Sequence, residues 1–277
     1  MLKLNKSRKY QLEQAAIQIR KDIVNISYHS KVGHISSALC IVDILIVLYH
    51  EIMQLNTKNP LDQTRDRFIL SKGHAVLGLY SVLHSIGYIS EKQLLNYCQS
   101  GAELGMHPEY NPKIGIELST GSLGHGLSVG CGLALGLKNK SRVFVLISDA
   151  ELNEGSTWEA IMFAAHHNLS NLTVIVDNNS LQAFGYTNDV LNLAPLAQKW
   201  QAFGWAIHKV NGNNLQQLHH SLSTIPYSIN KPSVIIANTV GGKGVSFMEN
   251  SIKWHYLPLT KKQHSQAIKE LNNKLQI

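Results

Sequence analysis

The sequence predicts an α/β fold with a mainly parallel central sheet and helices on both faces. Three observations carry this. The apolar runs VFVLIS (143–148) and LTVIV (172–176) lack the alternation of a half-solvated strand, so they read as strands covered on both sides. Between them, STWEAIMFAAHHNL (156–169) has helical spacing, with Trp158, Ile161, Ala165 and Asn168 along one side. The strand–helix–strand pattern then resumes in GWAIHKV (204–210) and SVIIANT (233–239), as parallel strands joined by crossovers require.

The remaining elements follow in order. Residues 8–30 place Leu12, Ala15, Ala16, Ile19, Ile23 and Ile26 on one helical face. After a turn at Val32-Gly33-His34, SSALCIVDILIVLYHEI (36–52) predicts one long, largely buried helix with Ser36 or Ser37 near its N-cap. DRFILS (66–71) predicts a short strand, and KGHAVLGLYSVLHSIGY (72–88) a turn followed by a helix. HPEYNPKIGIELSTGSLGHG (107–126) has no periodicity and many Gly and Pro, so it reads as loop. LSVGCGLALGLK (127–138) is a helix of small residues that can approach its neighbours closely. No repeat, low-complexity tract or linker interrupts the chain, which predicts a single domain over 1–277.

Composition narrows the function. Of 277 residues, 44% are hydrophobic and only 16% charged, so a sizeable core is matched by a poorly charged surface suited to burial against another protein chain. The net charge of +7 is spread out, without the dense basic, aromatic-interleaved runs that nucleic acid would need. Cys40, Cys98 and Cys131 are odd in number and far apart, which argues against a disulfide framework and against a thiolate metal site. The longest apolar run, Ala38 to Tyr49, contains Asp43 and is too short to span a bilayer. The N-terminal MLKLNKSRKYQLEQ has no apolar signal core. A cytoplasmic protein with no membrane partner is the expectation.

The chemistry lies at two strand ends. Ligands of open α/β sheets bind beyond the carboxyl ends of the strands. Asp149 ends the first apolar run, and Asp177-Asn178-Asn179 ends the second. If the two strands are neighbours, Asp149 and Asn179 form a hard-oxygen pair. One carboxylate and one amide carbonyl are too few to cage Ca²⁺ but suit Mg²⁺, which takes its remaining ligands from water and ligand phosphates. The plainer alternative is that Asp149 caps the following turn and Asn179 makes an Asx-turn.

SDAELNEGSTWEA…NLTVIVDNNSLQ resembles the thiamine-diphosphate motif, which opens with Gly-Asp-Gly and ends about 30 residues later at an Asn. GHISSALCIVDIL, DRFILSKGHAVLGLYSVLHSIGY, GMHPEYNPKIGIELSTGSLGHGLSVGCGLALGLK and VGGKGVSFMENSIKWH keep the order of transketolase motifs over nearly the whole chain. LSKGHA, TGSLGHGLSVG and GVSFMEN…WH look like the N-terminal, diphosphate-binding subunit of a split transketolase. The resemblance implies the thiamine-diphosphate-binding fold. It also implies Mg²⁺ (with Ca²⁺ or Mn²⁺ as substitutes) held by the side chains of Asp149 and Asn179 and the carbonyl of Leu181. Further implied cofactor contacts come from His74, Gly121, Ser122, Leu123, Ala150 and Glu154, and an active-site set from His34, His74, His107 and His255. Glu154 is expected to link to a Glu of the pyrimidine-binding half. No segment here resembles that half, so the pyrimidine-binding and C-terminal domains are expected on a partner chain, in a heterotetramer.

Three departures stand out. Gly-Asp-Gly is Ser148-Asp149-Ala150, GHPG is GHIS, and TGPLGQG is TGSLGHG, which brings in His125. If residue 150 needs a positive φ, alanine there is strained by roughly 1 kcal/mol; at negative φ the change costs little. The implied reaction is transfer of a two-carbon ketol unit from a ketose, phosphorylated by expectation, to an aldose-type acceptor. The rivals are a non-catalytic paralogue serving as a scaffold, and a carboligase like 1-deoxyxylulose-5-phosphate synthase.

Overall fold

The computed structural model describes residues 4–138 and 140–275; residues 1–3, 139 and 276–277 of the expected 1–277 unit lie outside the described residues. Five strands form one fully parallel sheet: β1 (Arg67–Leu70), β2 (Val143–Ser148), β3 (Leu172–Asn178), β6 (Ala206–Asn211) and β7 (Ser233–Asn238), in the order β1-β2-β3-β7-β6. A two-stranded antiparallel hairpin, β4 (Leu181–Gln182) with β5 (Gly185–Tyr186), follows β3.

The absence of alternation in β2 and β3 has a direct cause. Phe144, Leu146 and Ile175 enter one apolar core, while Val143, Val145, Ile147, Val174 and Val176 enter a second core on the opposite face. The first core is roofed by α1 (Lys6–Ser30), α2 (Ile35–Cys40), α3 (Val42–Val47), α4 (Val76–Ser85) and α10 (Leu215–Ser223). The second is roofed by α6 (Gly126–Gly136), α7 (Gly155–His166) and α9 (Leu196–Ala202), with Trp200 and Trp205 filling it. Short helices α5 (Glu91–Leu95) and α8 (Thr187–Val190) and the C-terminal α11 (Lys261–Leu275) complete the order. No helix among the described residues is long and apolar enough to cross a membrane.

Two expectations change. The single helix over 36–52 is α2, a break at Ile41, α3, and then a wide π turn over Leu48–Ile52. Every residue of α2 and α3 is buried, so an apolar pattern all round could not mark the break. Buried Asp43 in α3 is held by a bidentate pair with Arg20 of α1, at 3.0 and 2.7 Å. Helix α7 ends at His166, and Asn168 lies beyond it in a left-handed turn (φ 51°) rather than on its face.

The small-residue helix does sit close to its neighbours. A Cβ on Gly126 would fall 2.8 Å from Ser71 Cα, and one on Gly130 would fall 2.5 Å from Val145 Cγ2. Gly126→Ala is therefore expected to destabilise the fold by about 1–3 kcal/mol, read as a lower thermal midpoint. An unchanged midpoint would show that the contact between α6 and the end of β1 is soft.

Candidate functional site

Carboxyl ends of β1, β2 and β3 converge on one cleft of about 480 Å³. β2 and β3 are neighbours, with Ser148 opposite Asp177, and the Asp149 N–H donates to the Asp177 carbonyl at 3.2 Å. The two acidic strand ends therefore meet, as the sequence predicted for adjacent strands.

Asp149 is wholly buried just under the cleft floor, between Ser148 and Ala150, which line it. Its Oδ1 accepts from Ala150 N at 2.9 Å, and its Oδ2 accepts from Ser180 N at 3.0 Å and Thr187 Oγ1 at 2.8 Å. Burial, reinforced by Asp177, pushes its carboxyl up to about 6. Asn179 Oδ1 accepts from Leu181 N at 2.8 Å, an Asx-turn. The plain capping roles are thus both present. They leave acceptor capacity on Asp149 Oδ1 and Asn179 Oδ1, since each oxygen carries two lone pairs. The Ser180 N–H bond ties the two strand-end loops together. Among the described residues no group of three or more His, Cys, Asp or Glu is placed to hold a metal. This donor set accordingly fits a hard cation that brings other oxygens with it, as Mg²⁺ on a phosphate does.

Residue 150 answers the question raised by its alanine. It opens a 3-10 turn (Ala150–Asn153) and is not among the residues of positive φ. Alanine is accommodated there without backbone strain.

The four histidines form one wall. His34 lies 5.2 Å from His74, 6.5 Å from His107 and 5.1 Å from His255, ring centroid to centroid, and His74 lies 5.5 Å from His255. His34 has a left-handed backbone (φ 62°) at the start of α2, and its N–H donates to the His255 carbonyl at 2.9 Å. Its Nδ1 is buried without a hydrogen-bond partner among the described residues. Burial lowers all four imidazoles: His34 and His107 below the ordinary value, His74 well below it, and His255 to about 4. Neighbouring cationic groups, Lys72 among them, add to this at His34, His74 and His255.

These shifts set a pH dependence. In the unfolded chain the histidines take protons near 6.5; in the fold they resist protonation until lower pH, about 4 for His255. Between those values the unfolded state binds more protons, so stability is full above 6.5 and falls as pH is lowered through the window. The thermal midpoint is expected to drop by several degrees between about pH 7.5 and about pH 5, and an unchanged midpoint would contradict neutral burial.

The loop at 119–126 crosses the end of β1. Thr120 Oγ1 donates to the Leu70 carbonyl at 2.7 Å, and Gly121 packs so tightly on His107 that a Cβ would lie 2.9 Å from its Cδ2. Gly121 and Leu123 line the cleft; Ser122 is exposed and does not. Glu154 lies exposed on the cleft rim, at the N-terminus of α7. Leu181 lines the cleft at the start of the β4–β5 hairpin, whose tip residue Phe184 is 90% exposed.

Sequence reasoning passed over several residues. Glu151 is fully buried and gathers Ser71 Oγ (2.5 Å), Gly124 N (3.0 Å) and Ser148 N (2.9 Å), joining β1, the glycine loop and β2. Lys72 is on the cleft floor, paired with Asp177. Its signal was the lysine in LSKGHA, directly after an apolar strand. Asn153 and Gln182 line the wall, linked at 3.2 Å. A second hollow of about 540 Å³ lies between α1, residues 213–215 and α11. Of its charged side chains, Arg20 pairs with Asp43, Lys9 with Glu13 and Lys243 with Glu249, while Lys274 Nζ donates to the Gly244 carbonyl at 2.9 Å.

Comparison with known proteins gives a consistent picture. Residues 12–275 match the family model described as "Transketolase, thiamine diphosphate binding domain". The chain is 38% identical to an apulose-4-phosphate transketolase subunit of Phocaeicola vulgatus over 268 residues, covering 96% of this chain and 95% of that protein. It is 35% identical to a 6-deoxy-6-sulfo-D-fructose transketolase subunit of a Clostridium species, covering 94% and 96%. Among solved structures, transketolase from Leishmania mexicana aligns with TM-score 0.88 at 28% identity, over 94% of this chain and 41% of that one. Transketolase from Campylobacter jejuni aligns with TM-score 0.87 at 29% identity, over 95% and 43%. The chain thus spans about two fifths of the length of those solved enzymes.

Proposed function

The chain belongs to the transketolase family, and from that premise we propose that it is the diphosphate-binding subunit of a two-chain, thiamine-diphosphate-dependent enzyme with Mg²⁺. It transfers a two-carbon ketol unit from a ketose, phosphorylated by expectation, to an aldose-type acceptor. The observation that carries this reading is the cleft itself: four neutral imidazoles beside a strand-end oxygen pair suited to a phosphate-bound cation. The two-chain reading is supported by relatives that bear "subunit" in their names and match this chain along nearly their full length.

Thiamine diphosphate supplies a nucleophilic carbon and an electron sink for cleaving the bond next to a ketose carbonyl. The chain's own residues do the rest. Asp149 and Asn179 side chains and the Leu181 carbonyl would hold Mg²⁺. Backbone N–H groups around Gly121 and Leu123 would face the phosphates, with Ala150 and His74 bordering them, while exposed Ser122 stays outside the cleft lining. His34, His107 and His255, neutral at pH 7, hydrogen-bond the sugar hydroxyls; one of them takes the proton of the hydroxyl beside the breaking bond. Desolvation strengthens each of these contacts. Glu154, on the rim, faces the pyrimidine-binding partner, and the assembly is a cytoplasmic heterotetramer.

The test is calorimetric. The chain is co-expressed with the transketolase C-terminal-like chain of its own genome, and the complex is titrated with thiamine diphosphate with and without Mg²⁺. Saturable, metal-dependent binding is expected, with a light-scattering mass of two copies of each chain. A well-formed complex that binds no cofactor sinks the reading. Product analysis with ketose phosphates against pyruvate then separates ketol transfer from other carboligations.

A further inference from the structure

Lys72 and Asp177 form a buried ion pair that neither the histidine wall nor the metal pair requires. Lys72 is 1% exposed and Asp177 0%, with Nζ 2.5 Å from Oδ2. Asp177 has partners on both oxygens. The same Oδ2 accepts from Asn179 Nδ2 at 2.9 Å and from the Cys40 thiol at 3.1 Å, and its Oδ1 accepts from the Thr239 hydroxyl. Lys72 is not saturated. An ammonium has three donors. One goes to Asp177, and among the described residues its only other partner is the Cys40 sulfur at 3.9 Å, a weak acceptor at long range.

A buried pair of this kind does little for stability that a pair of apolar side chains would not do as well or better. Its position is what distinguishes it. Lys72 lines the cleft floor together with Ser148 and Asn179, beside the strand-end oxygen pair where a cation-bound anion would lie. Asp177 also takes the amide N–H of Asn179, which turns Asn179 Oδ1 the other way, toward Leu181 N.

We propose that Lys72, held in place by Asp177, is a second cationic anchor for the cofactor's diphosphate beside the metal, and that Asp177 is a positioning residue for the Asn179 amide. The proposal rests on the thiamine diphosphate reading above. It requires that phosphate affinity not be wholly metal-borne.

The experiment uses the two-chain complex with three probes: thiamine diphosphate, inorganic pyrophosphate and thiamine. The variant is Lys72→Met/Asp177→Asn, which removes one charge of each sign and leaves an amide oxygen to accept from Asn179 Nδ2, with the new NH2 donating to the Thr239 hydroxyl. Its ligand-free thermal midpoint is expected to stay near wild type. Its affinity for thiamine diphosphate and for pyrophosphate, both with Mg²⁺, is expected to fall together by about tenfold to a hundredfold, the loss of one charge-assisted contact. Thiamine binding should not change. Diphosphate affinities within a few-fold of wild type overturn the proposal and leave the pair a purely structural neutralisation. A measurement on the wild type stands if the variant does not assemble. In EDTA, pyrophosphate should bind weakly, and more weakly as salt is raised. Mg²⁺-dependent binding with none in EDTA at millimolar pyrophosphate also overturns it. A wild-type complex that binds no thiamine diphosphate with Mg²⁺ removes the cofactor reading itself, a result distinct from either.

Discussion

Asp149→Asn is expected to lower Mg²⁺-dependent thiamine diphosphate affinity by at least about a hundredfold, more than the 10–100-fold typical of losing a group behind a metal ligand, while leaving the thermal midpoint close to wild type. The split follows from the two jobs of the carboxylate. As an acceptor it holds Ser180 N, Thr187 Oγ1 and Ala150 N, and so the segment that carries Leu181. As a charge it offers the strongest hard-oxygen ligand at the strand ends. An amide keeps enough acceptor capacity for much of the first job and loses the second. Asp149→Ala should lose both, with weaker binding and a lower midpoint. Calorimetry and melting on the same preparations separate the cases. Metal-dependent affinity unchanged in Asp149→Asn would show that residue 149 is a cap and not a ligand.

Glu151→Ala is expected to cost about 3–5 kcal/mol, the largest stability effect at the site, because three donors lose their acceptor inside the fold. Ser71 Oγ, Gly124 N and Ser148 N all point at this one buried side chain. At about 2–4 °C per kcal/mol for a chain of this size, the midpoint should fall by roughly 6–20 °C. Glu151→Gln keeps an acceptor and should recover part of the loss. A change of only a degree or two in the alanine variant would mean that water replaces the carboxylate, and that this junction of β1, β2 and the glycine loop is not rigid.

The sheet could be read in the sequence wherever its strands are covered on both faces. VFVLIS and LTVIV admitted no other assignment of comparable length, and they proved to be neighbours. The insertion of β7 between β3 and β6 could not be read, because strand order is fixed by which helices cover which face, not by the strands' own composition. Helices α10 and α11 went unseen for another reason. LQQLHHSLS buries Leu215, Leu218 and Leu222 behind Gln and His, and α11 buries only Ala267 and Leu271. Each shows the core one narrow stripe, and their polar majority reads as loop. The short α5 was likewise announced only by its Ser90–Gln93 capping box.

At the site, the strand-end residues could be placed from pattern alone, since a carboxylate after a buried strand has one place to go. The four histidines could be brought together only by resemblance, because 34, 74, 107 and 255 have no spacing that implies contact. Lys72 and Glu151 were missed because a buried charge is legible only through its partners, and Asp177 lies 105 residues from Lys72 and Ser71 lies 80 from Glu151.

The bond from His34 N–H to the His255 carbonyl fastens the first helical turn of α2 to the last irregular segment before α11. During synthesis from the N-terminus, all five sheet strands and three of the four imidazoles are translated before that carbonyl, while Leu259, Ala267 and Leu271 of the first core follow it. A nascent chain can therefore hold every strand of the sheet and still lack one wall of the cleft. Truncation a few residues short of 255 should yield a chain that keeps much of its packed sheet but has lost one wall of its cleft. The order of manufacture thus delivers the last wall of the cleft after the sheet beneath it.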